Sequence, residues 1–404
     1  MAPSQRLYAL YANLAGEVLE AAKFAIELRP NGTLSRAEFQ YSQPYLKHPR
    51  AIPLLPGSLD LKPDIVAFAC VDGGVPGFID NLLPDTWGRK VIARSIARQL
   101  GSRQPTIADF LSHPSSSAIG CFACVDDGSP PPEFGNGIDM ARLGSSWESA
   151  DRLEKSQEKD TDLDVLRLAG SSGVGGARPK ALVRDDRYWI AKFSRTTDDY
   201  NIVEAEHLAL QIAKTAGLSA PDSRITTINK RQALLVERFD ITPEGHRRHV
   251  VSVNSLLKVK DTQEDPLHAS YQDIAKLVRR YSTKAKTDIE QLCGHAMLNS
   301  ALNNTDDHLR NFAFLIEKDN VRLSPIYDVV PSPASGEFSQ LNWNDSPYLP
   351  RLEDAARAAK ELGLRGPEGV AIAERISSAV EPRVRELSQA GALPPRYRRI
   401  SDDS

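Results

Sequence analysis

The chain has 404 residues, with 50 Lys and Arg against 53 Asp and Glu, a net charge of −3 and 25% charged residues. That length exceeds one small core and sets two or three domains as the expectation. The near-neutral balance gives no bulk electrostatic reason to hold nucleic acid nonspecifically.

The first elements expected are β-rich. Residues 7–30 alternate apolar and polar positions in two runs around Asn13–Gly16, the pattern of a β-hairpin. Residues 78–112 read as helical, with Trp87, Val91, Ile92, Ile96 and Leu100 on one stripe. Cysteines occur at 70, 121, 124 and 293, a usage that fits a reducing, cytoplasmic setting rather than a disulfide scaffold. The lone Cys121-Phe122-Ala123-Cys124 has no second pair or nearby histidines, so strand positions explain it better than zinc. The stretch Asp126 to Gly137 is rich in Gly and Pro and reads as a connection. Charges crowd residues 151–164, read as a solvated linker or short helix, and the main domain boundary is placed near 150. No basic-then-apolar leader and no run of about 18 apolar residues is present, so neither secretion nor a membrane span is expected.

Beyond that boundary the residue types begin to suggest chemistry. Ser171-Ser172-Gly173-Val174-Gly175-Gly176-Ala177-Arg178-Pro179-Lys180 is a candidate phosphate loop, because small residues let backbone N–H groups approach an anion. Glycine-rich turns between strands look the same. It is not a Walker A loop, since Pro179 precedes Lys180 and Ala181 follows it. Tyr188–Phe193 is a β-rich run with one lysine, Lys192, either an edge charge or the lysine that grips ATP phosphates. Val203 to Ala216 has a helical period ended by Gly217, with Glu204 and Glu206 in its first turns. Carboxylates there suit the helix dipole; Glu206 is the preferred partner for Lys192. Residues 232–240 form an apolar strand breaking into polar residues, equally a kinase hinge or an ordinary strand end. A helix over about 288–302 would buttress the next loop, and helical runs at 353–364 and 369–389 close the chain.

The strongest signal lies between 304 and 328. Asp306 is followed five residues later by Asn311, and Asp328 sits in an apolar setting beyond. One carboxylate to orient an attacking hydroxyl, with a carboxamide and a second carboxylate for magnesium, is the set that phosphoryl transfer from ATP demands.

Taken together, Gly-Gly-Ala-Arg-Pro-Lys (175–180), Ile-Ala-Lys-Phe (190–193), Val-Glu-Arg-Phe-Asp (236–240), Asn-Thr-Asp-Asp-His-Leu-Arg-Asn-Phe (304–312) and Ser-Pro-Ile-Tyr-Asp-Val (324–329) resemble the HipA family of serine/threonine kinases, toxins of bacterial toxin–antitoxin modules. Phe39-Gln40-Tyr41 and the run Gly77 to Arg89 are similar to that family's N-terminal domain. The resemblance implies an α+β, protein-kinase-like bilobal fold with an added N-terminal α/β domain. Residues 1–150 would form that N-terminal domain and 151–404 the kinase domain, its strand-rich lobe about 165–240 and its helical lobe about 266–404.

The resemblance also implies roles. Asp306 would be the catalytic base, Asn311 and Asp328 the Mg2+ ligands. Gly173, Val174, Gly175, Gly176 and Ala177 would cradle ATP phosphates with Lys192 and Glu206. Glu237, Phe239 and Asp240 would line the adenine site, and His308 would support the catalytic loop beside the nucleotide. The family's autophosphorylated loop serine falls here at Gly173, leaving Ser171 or Ser172 as displaced candidates. Asp307 replaces a small residue and would either raise the pKa of the base or point to solvent. Implied partners are a protein substrate, by precedent an aminoacyl-tRNA synthetase, and a helix-turn-helix antitoxin through which DNA is reached. Two alternatives stay open, an ATP-binding pseudokinase or co-repressor scaffold and a phosphoinositide or small-molecule kinase. The catalytic loop lacks His-Arg-Asp, and Asp328 lacks a following Phe-Gly.

Overall fold

A computed structural model describes residues 4–71, 74–114, 119–135, 137–171, 176, 178–195, 197–258, 269–332 and 338–392. The chain packs as two compact units. One comprises Met1–Lys192, Asp240–Pro266 and Ile316–Lys318; the other comprises Phe193–Phe239, Leu267–Leu315 and Asp319–Ser404.

The first unit opens with an antiparallel sheet of β1 (Ser4–Leu14), β2 (Glu17–Leu28), β3 (Leu34–Tyr41), β4 (Val66–Ala69) and β5 (Phe122–Asp126), in the order β4-β3-β2-β1-β5. The expected hairpin is present, with Leu14 opposite Glu17 across a two-residue turn. Both turn residues take positive φ, Ala15 at 56° and Gly16 at 92°, the twist that suits a tight hairpin. Alternation buries one face, where Tyr8, Phe24 and Phe39 gather on the sheet. Phe78 packs edge-on against Phe24 at 5.6 Å and against Phe39 at 5.4 Å, so one helical residue closes the aromatic core.

Phe78 lies on the short helix Gly77–Leu82. Residues 78–112 do not form the continuous helix that their stripe suggests. They divide into Gly77–Leu82, Thr86–Ser95, Ala97–Leu100 and Ile107–Leu111. Pro84 forces Leu83 into extended backbone, with ψ 144°, and Gly101 at φ 59° ends the next segment. Gly77 meets the Ser255 carbonyl so closely that no Cβ fits between them. The four cysteines are free and buried, and burial pushes the Cys121 and Cys124 thiols up to about 12.

Of the two expectations for residues 151–164, a solvated linker or a short helix, the structure has helix on both sides of a short turn. Helices Leu143–Glu154 and Asp160–Leu168 pack together, burying Trp147, Ala150, Leu153 and Leu166. Arg152 clamps Asp162 at 2.6 Å, and Ser149 donates to the same carboxylate at 2.9 Å. Arg152 beside Asp162 holds that carboxyl low, at about 2. These helices lie before β7 (Lys180–Arg184), which pairs parallel with β6 (Ile138–Asp139) and antiparallel with β8 (Tyr188–Phe193).

In the second unit the helix Ile202–Thr215 is capped by Asn201 and ends at Gly217, φ 76°. It packs on a hairpin of β9 (Ser223–Ile228) and β10 (Arg231–Glu237) through Val203, Leu210, Leu234 and Val236. The helix Ala285–Leu302 is buried along most of its length, which explains why its sequence shows so little amphipathic period. The helices Tyr271–Tyr281 and Gly366–Val380 pack against it. Its start is fixed by buried Asp288, which receives Arg322 at 2.6 Å, the Leu323 N–H at 2.8 Å and the Ser282 hydroxyl at 2.6 Å. Among the described residues no helix is long and apolar enough to cross a membrane.

Candidate active site

The residues singled out from the sequence fall on both units, and each group is placed within its own. In the first unit Ser172, Gly173, Val174, Gly175 and Ala177 lie outside the described residues. Gly176 is described, and residues 85–87 anchor it. Its N–H donates to Asp85 Oδ2 at 2.8 Å, and its carbonyl accepts from the Trp87 N–H at 3.3 Å. That N–H is therefore committed within the protein. What Gly176 supplies is space: a Cβ there would stand 2.5 Å from Lys180 Nζ, and φ is 103°.

Ser171 is fully buried. Its hydroxyl donates to the Lys180 carbonyl and accepts from Trp87 Nε1 at 2.8 Å. The serine read as a modification point is thus a tie between the loop's two ends, with its oxygen turned away from solvent. Lys192 stands directly opposite Lys180 in the β7–β8 register. Opposed residues share a sheet face, and of the two it is Lys180 whose ammonium lies beside Gly176. Asp240 is also committed internally: it is buried, and its Oδ2 accepts from the Gly120 N–H at 2.9 Å.

In the second unit the two glutamates of the helix Ile202–Thr215 separate. Glu204 serves the cap, accepting from Asn201 Nδ2 at 2.9 Å, whereas Glu206 is buried. Glu237 ends β10, its N–H bonded to the Asp222 carbonyl at 2.8 Å. The Phe239 ring lies 5.5 Å from the Tyr327 ring, and the Tyr327 hydroxyl donates to the Arg310 carbonyl at 2.7 Å. These two contacts connect the strand end, the segment carrying Asp328 and the catalytic loop. Asp328 takes φ 58°, a left-handed conformation that Asp tolerates better than most residues.

The loop itself is compact. Asn311 Nδ2 donates to the Asp306 carbonyl at 3.2 Å, which leaves the Asn311 amide oxygen as its remaining acceptor. The Asp306 side chain is exposed, and its Oδ1 accepts from Gln340 Nε2 at 2.6 Å. His308 stands at the start of the single turn Leu309–Asn311, its carbonyl accepting from the Asn311 N–H at 2.8 Å. Sequence reasoning missed Gln340, which stands far along the chain in a segment without any motif. Asp307 does not point to solvent; it is fully buried and bonded to the Tyr271 hydroxyl. Among the described residues no three His, Cys, Asp or Glu side chains converge as a metal cluster.

Residues 172–384 match the HipA-like C-terminal domain, and residues 22–124 match the HipA N-terminal domain. The chain belongs to the HipA family. A Haemophilus influenzae protein named "Putative kinase" is 25% identical to this HipA-family chain over 170 residues, 39% of this chain and 50% of that protein. "Putative kinase Y4dM" of Sinorhizobium fredii is 23% identical over 316 residues, 73% of this chain and 72% of that one. The chain thus spans half the length of the first relative. Among solved structures, HipA of Shewanella oneidensis, in a toxin–antitoxin complex with HipB and operator DNA, superposes with a TM-score of 0.64. Identity is 18%, with 97% of this chain and 92% of that chain covered, so the likeness concerns the α+β kinase-like fold.

Proposed function

We propose that this HipA-family chain is an ATP- and Mg2+-dependent kinase that phosphorylates a serine or threonine of a protein. The observation that carries the reading is the 306–311 loop. Asn311 closes it through the Asp306 carbonyl, and the Asp306 carboxylate stands exposed, steadied by Gln340. An exposed carboxylate on a rigid loop can orient an acceptor hydroxyl and take its proton as the oxygen attacks phosphorus. ATP, bound with Mg2+, supplies the phosphoryl group and the leaving ADP.

The donor set fits that cofactor. Mg2+ takes oxygen ligands and relies on few protein groups, keeping phosphate oxygens and waters for the rest. The free amide oxygen of Asn311 and the carboxylate of Asp328 are of that kind. By the family resemblance Lys192 would serve the polyphosphate, and Glu206 is a buried acid. Phe239, held against Tyr327, offers an apolar surface for adenine.

The wider role rests on family membership. We read the chain as the growth-inhibiting half of a toxin–antitoxin pair, acting on a translation component such as an aminoacyl-tRNA synthetase. Its partner would be a helix-turn-helix antitoxin, with DNA reached only through that partner. The Shewanella complex with HipB and operator DNA supports this reading. The test is incubation of the purified chain with labelled ATP, Mg2+ and a cytoplasmic extract, followed by identification of the labelled residue. Phosphoserine or phosphothreonine on a defined protein supports the proposal; label on a lipid or small molecule contradicts it.

A further inference from the structure

Asp307 turns inward beside the exposed Asp306 and starts a buried polar chain. Its Oδ2 accepts from the Tyr271 hydroxyl. That hydroxyl accepts from Asn299 Nδ2 at 3.0 Å, and Asn299 Oδ1 accepts from Asn304 Nδ2 at 3.1 Å. All four side chains are buried. Asp307 Oδ1 and Asn304 Oδ1 are buried with no hydrogen-bond partner among the described residues. Such a chain is costly where apolar packing would serve stability as well, so it calls for a reason beyond filling space.

The topology gives one. The chain leaves the catalytic loop at Asn304 and returns to it at Asp307, passing through Asn299 in the last turn of Ala285–Leu302 and Tyr271 at the start of Tyr271–Tyr281. Thr305 and Asp306 are the only residues between those two anchors. With the Asn311 bond to the Asp306 carbonyl, the backbone carrying the proposed base is held on both sides. The Tyr271 ring is itself fixed against Phe312, at 5.5 Å, and Trp343, at 5.6 Å. Burial pushes the Asp307 carboxyl up to about 7, in keeping with a hydrogen-bonding part rather than a second ionised base.

We propose that Asp307, Tyr271 and Asn299 are positioning residues that fix the catalytic loop so that Asp306 presents its carboxylate in one orientation. The inference rests on the kinase reading for its catalytic consequence, but the anchoring itself can be read separately.

The experiment compares Tyr271→Phe, Asp307→Ala and Asp307→Asn in the full chain. Initial rates of transfer from labelled ATP into extract protein are measured, with the KM for ATP and amide hydrogen exchange over 304–311. A base displaced by about 1 Å costs on the order of tenfold to a hundredfold in rate. Tyr271→Phe and Asp307→Ala should lose at least about tenfold at saturating ATP, with KM for ATP within about twofold. Their exchange over 304–311 should accelerate. Asp307→Asn keeps an acceptor for Tyr271 and should stay within about threefold of wild type. Full activity in Tyr271→Phe, or equal losses in the Asn and Ala variants, overturns the proposal. If Asp307→Ala does not fold, Tyr271→Phe carries the test, since it removes only one oxygen. If the wild type transfers no phosphate, the kinase reading fails by itself. Unchanged exchange over 304–311 in Tyr271→Phe then refutes the anchoring.

Discussion

Replacing Asp307 by Asn should change how stability depends on pH, and the burial of this carboxyl fixes the sign. Its pKa rises from the ordinary carboxylate range to about 7, chiefly by desolvation, with the nearby Asp306 charge adding to it and the bonds from Tyr271 and Asn299 opposing it. Below about pH 4 the group is protonated in both folded and unfolded chains and contributes no pH dependence. Between pH 4 and 7 the folded chain keeps a proton that the unfolded chain releases, so stability falls as pH rises, by up to about 1.4 kcal/mol per unit. Above pH 7 the penalty is complete, at about 4 kcal/mol. Asn carries no such proton. The stability of Asp307→Asn relative to wild type should therefore climb by up to about 4 kcal/mol from pH 4 to 7 and stay level above.

The other titrating neighbours are common to both proteins. Asp306 is present in each, and buried His295 is held neutral by desolvation, its pKa lowered to about 3. Paired urea titrations from pH 4.5 to 8.5 measure the difference, with Trp343 beside Tyr271 as a reporter. A stability gap that does not change with pH would refute the buried, proton-binding assignment.

Other outcomes follow from single contacts. Ser171→Ala strands the Trp87 indole N–H in the core and should cost the first unit about 1–3 kcal/mol in urea unfolding, more than a surface serine would. Asp328→Gly relieves the left-handed backbone that Asp328→Ala strains, so the Gly variant should be more stable by about 1 kcal/mol. Both should lose Mg2+-dependent ATP binding in calorimetry, which separates backbone from ligand roles. Gly77→Ala drives a methyl into the Ser255 carbonyl and should lower the melting temperature sharply, whereas Gly16→Ala meets open space and should cost only the strain of its positive φ.

The elements that local rules govern were legible in the sequence. The β1–β2 hairpin follows from alternation around Asn13–Gly16, and the helix Ile202–Thr215 follows from its period and Gly217. The spacing of Asp306, Asn311 and Asp328 marked a candidate site because an Asp and an Asn on one short loop, with a second Asp soon after, can supply the groups that chemistry uses. Other features depend on partners distant in sequence. The charged run at 151–164, read as a linker or a short helix, is packed because Arg152 neutralises Asp162 across the helix pair. The stripe over 78–112 gave no weight to Pro84, which splits it. Ser171 and Asp307 each carry a polar group that reads as available for chemistry, yet tertiary hydrogen bonds to Trp87 and Tyr271 commit it to the interior. Gln340 reaches Asp306 from a stretch with no motif, and no local pattern marks it.

The most direct test of the account compares wild type with Asp306→Ala for two quantities, phosphoryl transfer from labelled ATP and affinity for Mg2+-ATP by calorimetry. The account predicts that transfer is abolished while nucleotide affinity stays within about twofold, because the Asp306 carboxylate serves the acceptor and not the nucleotide. Transfer at the wild-type rate by Asp306→Ala would contradict it.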